Sequence, residues 1–142
     1  MYKALAALFA IAIAAPAWAQ MTPVGTWNSI DDKTNQPKAE IQIVDNAGAL
    51  SGKILKTLKP DAKPTCTECT DDRKDKPIAG LEIIRGGTQA ESGDVWEGGK
   101  ILDPENGKEY RATFTPIEGG KQLQVRGFIG PFFRTQVWKR VQ

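Results

Sequence analysis

From Val24 onward, apolar and polar residues alternate with a period of two, which marks half-buried strands, and strong helical periodicity is missing. A first strand is predicted near Val24–Ile30, ending in the polar turn cluster Asp31-Asp32-Lys33-Thr34-Asn35. A second, near Lys38–Asp45, sets Ile41 and Ile43 on one face against Glu40 and Gln42 on the other. Asn46-Ala47-Gly48 turns the chain into a third, near Ala49–Leu58, so the first three strands form a meander of hairpins. A fourth lies near Leu81–Arg85 and a fifth near Val95–Leu102, which leads into Asp103-Pro104-Glu105-Asn106-Gly107. Asn-Gly between two such runs is among the strongest short hairpin signals. The sixth strand, Lys108–Pro116, places Tyr110, Ala112 and Phe114 on one face and Arg111, Thr113 and Thr115 on the other. Glu118-Gly119-Gly120 turns into a seventh, where Leu123 and Val125 alternate with Gln122, Gln124 and Arg126. Gly127-Phe128-Ile129-Gly130-Pro131 reads as a bend before a last strand near Phe133–Val141.

About eight strands with mostly short connections predict an all-β, antiparallel up-and-down barrel. Gly98-Gly99, Gly52 and Gly127 supply the sharp bends that closure needs. A two-sheet sandwich would alternate in the same way, so closure rests on the two ends of the chain. Gly25-Thr26-Trp27 opens the first strand and Arg140 stands on the last. If those strands are neighbours, the Arg140 guanidinium can lie across the Trp27 indole and plug one end, a contact worth about 0.5–2 kcal/mol.

One connection breaks the rhythm. Residues 59–77 hold Pro60, Pro64 and Pro77, both cysteines and a mixed-charge run from Asp71 to Lys76. A loop of that length in a compact domain is either a functional lid or a solvated crossover. Cys66 and Cys69 form a Cys-Thr-Glu-Cys pair, and a local disulfide is the leading expectation in an oxidising compartment. Closing so short a loop stabilises by roughly 2 kcal/mol at most, enough to pin the loop but not the fold. Thiol-redox chemistry and metal binding are the alternatives. Redox pairs normally open a helix, and these flanks read as loop; a tetrahedral metal site needs more than two ligands.

The start of the chain carries an address. Lys3, the apolar run Ala4–Ala15 and the Ala17-Trp18-Ala19 cleavage pattern make residues 1–19 a signal peptide, leaving 20–142 as a single domain exported to the periplasm or beyond. The apolar run is too short to span a bilayer, which needs roughly 20 residues, and no later run is longer. Without Lys3 the 19 basic side chains fall to 18 against 17 acidic ones. Basic residues stand singly between acidic ones, so neither nucleic acid nor a polybasic membrane patch is indicated. Histidine is absent, which removes the usual general base and the commonest zinc ligand. Ser29, Ser51 and Ser92 lack any such activator, and no phosphate-cradling glycine loop occurs, so no cofactor is expected. Asp31, Asp32, Asp71, Asp72 and Asp75 lack the spacing of a calcium loop and are expected on a solvated face.

Four motifs recur in a recognisable order: Trp27-x-Ser29-Ile30-Asp31-Asp32-Lys33; Lys76-Pro77-Ile78-x-Gly80-Leu81-Glu82-Ile83; Gly98-Gly99-Lys100-Ile101-Leu102-Asp103-Pro104-x-Asn106-Gly107-Lys108-x-Tyr110; and Arg126-Gly127-Phe128-Ile129-Gly130-Pro131-Phe132-Phe133-Arg134-Thr135. Together they resemble the exported bacterial family known as domain of unknown function 2147, across almost all of residues 20–142. The resemblance implies a lipocalin-like, eight-stranded calycin barrel, and no assigned activity. The lipocalin signature is matched at its ends, by Gly25-Thr26-Trp27 and Arg140; the inter-strand motif and C-terminal helix of larger lipocalins are absent.

On this reading Trp96, Tyr110, Phe114, Phe128, Phe132 and Phe133 are the candidates to line a pocket, since small-ligand sites are apolar with a few polar groups. The competing reading is that they fill a solid core, as barrels of this size allow. The leading expectation is a non-enzymatic binding module for a small apolar or amphipathic, lipid-like ligand. The alternatives are a solid-barrel envelope protein meeting a protein partner through its 59–77 loop and, more remotely, a thiol enzyme.

Overall fold

The computed structural model describes residues 21–141, so the leader assigned to residues 1–19 lies outside the described residues. Nine strands follow in order: β1 (Gly25–Ile30), β2 (Pro37–Asn46), β3 (Ala49–Thr57), β4 (Glu82–Arg85), β5 (Thr88–Gln89), β6 (Trp96–Asp103), β7 (Lys108–Ile117), β8 (Gln122–Ile129) and β9 (Phe132–Arg140). A single 3₁₀ turn, Glu118–Gly120, joins β7 to β8, and no α-helix occurs among the described residues.

Every pairing is antiparallel. Hydrogen bonding runs β4-β3-β2-β1-β9-β8-β7-β6, and β6 pairs back onto β4, so eight strands close into a barrel. The short β5 is an appendage on the edge of β6. Closure of the first strand on the last uses Trp27 opposite Arg140 and Asn28 opposite Lys139, with Val141 N–H donating to Thr26 O at 2.8 Å. The β4–β6 seam likewise has two residue pairs, Ile84–Ile101 and Arg85–Lys100. Gly99 permits it, because a Cβ there would stand 2.9 Å from Gly86 O.

Strands lie within a residue or two of where the alternation predicts them, with two exceptions. Thr88–Gln89 pairs as β5 although the polar stretch around it reads as turn. Gly127, Phe128 and Ile129, read as a bend, continue β8, and the reversal is confined to Gly130-Pro131. Register explains the second: Gly127 pairs with Arg134 and Phe128 with Phe133, so the ladder holds to the hairpin tip.

Inward positions form one core. Trp27, Ile41, Ile43, Leu50, Ile84, Phe114, Leu123 and Trp138 are all essentially removed from water. Each such side chain contributes about 1.5–3 kcal/mol of transfer free energy.

The 59–77 connection is folded against the barrel. Cys66 N–H donates to Lys76 O at 2.8 Å, Asp75 N–H to Cys66 O at 2.9 Å and Ile78 N–H to Pro64 O at 2.9 Å. Cys66 and Cys69 are bonded to each other and buried, their Cα atoms 5.4 Å apart. The disulfide turn sits on the β6–β7 hairpin so closely that a Cβ on Gly107 would lie 1.8 Å from Glu68 O. Gly107 also holds φ +71°, so this position needs glycine twice over.

Candidate functional site

The two ends of the barrel differ. At one, Trp27 is fully buried and its Nε1–H donates to Pro23 O at 2.8 Å. The Arg140 guanidinium stacks on the indole with its carbon 4.2 Å from the ring centre. Its N–H groups donate to Gly120 O at 2.6 Å, Val24 O at 2.9 Å and Thr22 O at 2.7 Å. Burial lowers the pKa of Arg140, because desolvation disfavours the cation. Ring, guanidinium and carbonyls shut this end.

At the other end lies a cavity of about 390 Å³. It opens where β1 ends, β2 begins, β3 ends and the β6–β7 and β8–β9 hairpins turn. The vacancy follows from side-chain size. Ser29 on β1 faces Ala39 on β2, and Ala112 on β7 pairs with Gly127 on β8, so two strand pairs flanking β9 present almost nothing inward. Ile41, Ile54, Ile83, Val125 and Trp138 line the walls, with Ile78, just after the long loop, among the lining residues.

Polar groups stand in two places. On the inner face of β9, Trp138 Nε1–H donates to Gln136 Oε1 at 3.1 Å, and Gln136 Nε2 donates to Asp32 Oδ2 at 3.3 Å. Asp32 also pairs with Arg134, so a hydrogen-bonded line runs from the cavity floor to the rim. Around the mouth, Lys38 meets Glu105 at 3.1 Å, joining β2 to the β6–β7 turn, and Lys59 meets Asp31 at 2.9 Å. The Lys59 ammonium and the backbone N–H groups of Lys33 and Thr34 hold the Asp31 carboxyl well below the usual range. Asp31 in turn raises the pKa of Lys59.

The mixed-charge run Asp71–Lys76, expected on a solvated face, contains a buried brace. Arg73 is 3% exposed. Its Nε donates to both Asp71 oxygens at 3.1 Å, its Nη1 to Glu82 O at 3.0 Å and its Nη2 to Glu109 Oε2 at 2.7 Å. The Arg73 guanidinium holds the Asp71 carboxyl down to about 2. Beside it Arg85 pairs with Asp72 at 2.8 Å, which lowers the Asp72 carboxyl. This cluster ties the loop to β4 and β7. Arg73 is therefore unavailable to the protein partner envisaged for the loop.

Of the six aromatics expected to line a pocket, Tyr110 alone lines the cavity, its hydroxyl accepting from Asn106 Nδ2 at 3.1 Å. Phe114 and Trp96 face each other in register within the packed part of the core. Phe128 and Phe133 are register partners on the outer face of the barrel, and Phe132 stands 74% exposed at the hairpin tip. The alternation already carried the reason: with Leu123 and Val125 inward, Phe128 must point out. Ala39, Ser29, Gly127 and Gln136 were missed, because a vacancy is marked by small inward residues rather than large ones. Among the described residues no group of three or more His, Cys, Asp or Glu side chains is arranged to hold a metal ion. None of their helices is long and apolar enough to cross a membrane.

This closed antiparallel barrel, plugged at one end and hollow at the other, is lipocalin-like. It superposes on HP1028 from the human pathogen Helicobacter pylori, a protein described as belonging to the lipocalin family, with a TM-score of 0.71 at 13% identity, covering 84% of this chain and 82% of that one. The chain belongs to the family described as uncharacterized proteins conserved in bacteria, domain of unknown function 2147, whose model matches residues 25–140. Secretory abundant heat soluble protein 4 from Ramazzottius varieornatus is a more distant likeness, with TM-score 0.42 and 15% identity over 88% of this chain and 99% of that one. Comparison with curated proteins found no match.

Proposed function

We propose that this protein is an exported carrier or receptor for a small amphipathic molecule, holding its apolar body in the cavity and its polar end at the charged rim. The carrying observation is the cavity itself: about 390 Å³, walled by Ile41, Ile54, Ile83, Val125 and Trp138 and ringed by Lys38, Lys59 and Arg134. Pockets that hold small ligands have volumes of roughly 300–1,000 Å³, apolar walls and a few polar groups. Export is supported by the leader pattern in residues 1–19 and by the Cys66–Cys69 bond, which persists in an oxidising compartment.

Gly127 offers a clean test. Its inward Cβ position meets only Tyr110 Cβ at 3.8 Å, an ordinary contact, so Gly127→Phe fills the cavity without a clash at Cβ. The wild-type protein, purified after export, should bind 11-(dansylamino)undecanoic acid saturably, with energy transfer from Trp138. Gly127→Phe should weaken binding at least roughly tenfold with the unfolding midpoint kept, since a strand position gains from a larger side chain. Equal affinity in both proteins would refute the cavity as the binding site.

A further inference from the structure

The β8–β9 hairpin differs in charge from the rest of the barrel. From Gly119 to Gln142 there is no acidic residue, whereas Lys121, Arg126, Arg134, Lys139 and Arg140 are basic. Its tip is apolar and bare: Ile129 is 61%, Phe132 74% and Phe133 58% exposed, on either side of the Gly130-Pro131 turn. Single exposed apolar residues are ordinary, but a contiguous group marks an interaction site.

Cations that stand singly in the sequence are gathered here by register. Arg111 on β7 pairs with Phe128 on β8, which pairs with Phe133 on β9. The Arg111 guanidinium lies 5.7 Å from the Phe128 ring centre and that of Arg126 lies 4.5 Å from the Phe133 centre. The two rings are 6.0 Å apart. Among the described residues neither Arg111 nor Arg126 forms an ion pair. Two guanidiniums thus stand over the half-buried Phe128 and exposed Phe133 rings, beside a bare apolar tip, with no carboxylate partner; Arg126 Nε donates to Thr135 Oγ1 at 3.1 Å.

We propose that this hairpin docks the barrel onto a bilayer whose surface carries anionic headgroups. Ile129, Phe132 and Phe133 enter the interface, where aromatic rings are favoured, while Arg111 and Arg126 meet lipid phosphates. Each cation near such a surface raises the partition roughly fivefold, and the effect fades with salt. Charge also decides against a second copy of the chain as the occupant, because two hairpins without acids would repel. Ile129 belongs both to the tip and to the cavity wall, so docking brings the mouth to the lipid. That consequence rests on the cavity being a binding site; the docking surface does not.

The test is co-sedimentation of the exported, purified protein with vesicles of phosphatidylcholine and phosphatidylglycerol in equal parts, against pure phosphatidylcholine. The protein should pellet with the mixed vesicles and stay in solution with the neutral ones. Phe132→Ser with Phe133→Ser should lower the partition at least roughly tenfold. Arg111→Gln with Arg126→Gln should lower it by a similar factor and flatten its salt dependence. All four side chains lie on the outer surface, so an unchanged unfolding midpoint checks that the fold is kept. Gly127→Phe should pellet like wild type, which separates this surface from the cavity. Wild-type protein left in solution with mixed vesicles, or an unaffected phenylalanine variant, would overturn the proposal. So would a dimer that the phenylalanine substitutions dissolve, without vesicle binding, since it would give the face to a second copy.

Discussion

The same eight strands build a plugged end and a hollow end, and the contrast runs residue by residue along β1, β2 and β8. On β1 the inward side chains are Trp27 toward the plug and Ser29 toward the mouth; on β2 they are Ile43 and Ala39; on β8, Leu123 and Gly127. An eight-stranded barrel is just wide enough for side chains to fill or for one small ligand. Strand number therefore leaves the question open, and the size gradient of the inward residues answers it. The fastenings differ too. A guanidinium on a ring and three carbonyls hold the plug, whereas carboxylate–cation pairs hold the mouth and its loop.

The largest effect is expected at the plug. Trp27→Ala removes a fully buried indole, its hydrogen bond to Pro23 O and the surface on which Arg140 rests. It should cost about 3–5 kcal/mol, read as a lower urea midpoint at unchanged slope. Ser29→Ala, one inward position nearer the mouth, should stay within about 0.5–1 kcal/mol, because its hydroxyl makes one long contact, 3.4 Å to Ala39 O. Similar losses from both variants would erase the distinction between the ends.

A second, smaller effect probes what fastens the loop at the mouth. Arg73→Met keeps much of the buried volume but removes the Nη1 donor to Glu82 O and the guanidinium from Asp71 and Glu109, leaving Glu109 only its longer pair with Lys100 at 3.8 Å. Both carboxylates reach water, so the cost should be roughly 1.5–3 kcal/mol, below that of an ion left buried alone. Faster proteolysis within residues 59–77, with the barrel core intact, would locate the damage. A variant as stable and as protected as wild type would reduce the brace to an ornament of the surface.

The barrel was legible in the sequence because period-two alternation and turn chemistry are local, and the closing pair announced itself by one indole at the start and one guanidinium at the end. The interior was harder to read. Aromatic residues were the natural candidates for a pocket wall, yet Phe128 and Phe133 face outward and Phe114 belongs to the packed core. Parity along β8 from Leu123 and Val125 was enough to send Phe128 out, but reading Gly127–Pro131 as a bend broke the count. Nothing local marks Ser29 beside Ala39, or Ala112 beside Gly127, as a vacancy, because it arises only when register brings small residues together across strands. Arg73 was hidden for the same reason: its partner Glu109 is distant in sequence and looks, within its run, like one more solvated charge.

The smallest expected effect separates the ends by pH. Asp71, held at about 2 by Arg73, and Asp31 and Asp72, held down by Lys59 and Arg85, all belong to the mouth and its loop. Unfolded aspartates titrate near 4, so these groups bind protons more readily in the unfolded chain. Their stabilisation is complete above about pH 4 and is lost as pH falls toward and through the depressed folded values. Asp71 and Asp72 are largely solvent-facing, so their share of the loss should be modest. Arg140 remains a cation throughout that range, and the carbonyls of Gly120, Val24 and Thr22 to which it donates do not titrate. Acid should therefore loosen one end alone. Amide-exchange protection, corrected for the intrinsic pH dependence, should fall at Cys66 and Asp75 in the loop while Arg140 and Val141 keep theirs, since Arg140 N–H bonds Lys121 O beside β8 and Val141 N–H bonds Thr26 O on β1. Loss of protection at both ends together would mean that the mouth and the plug unfold as one unit, and that their different fastenings do not divide the barrel.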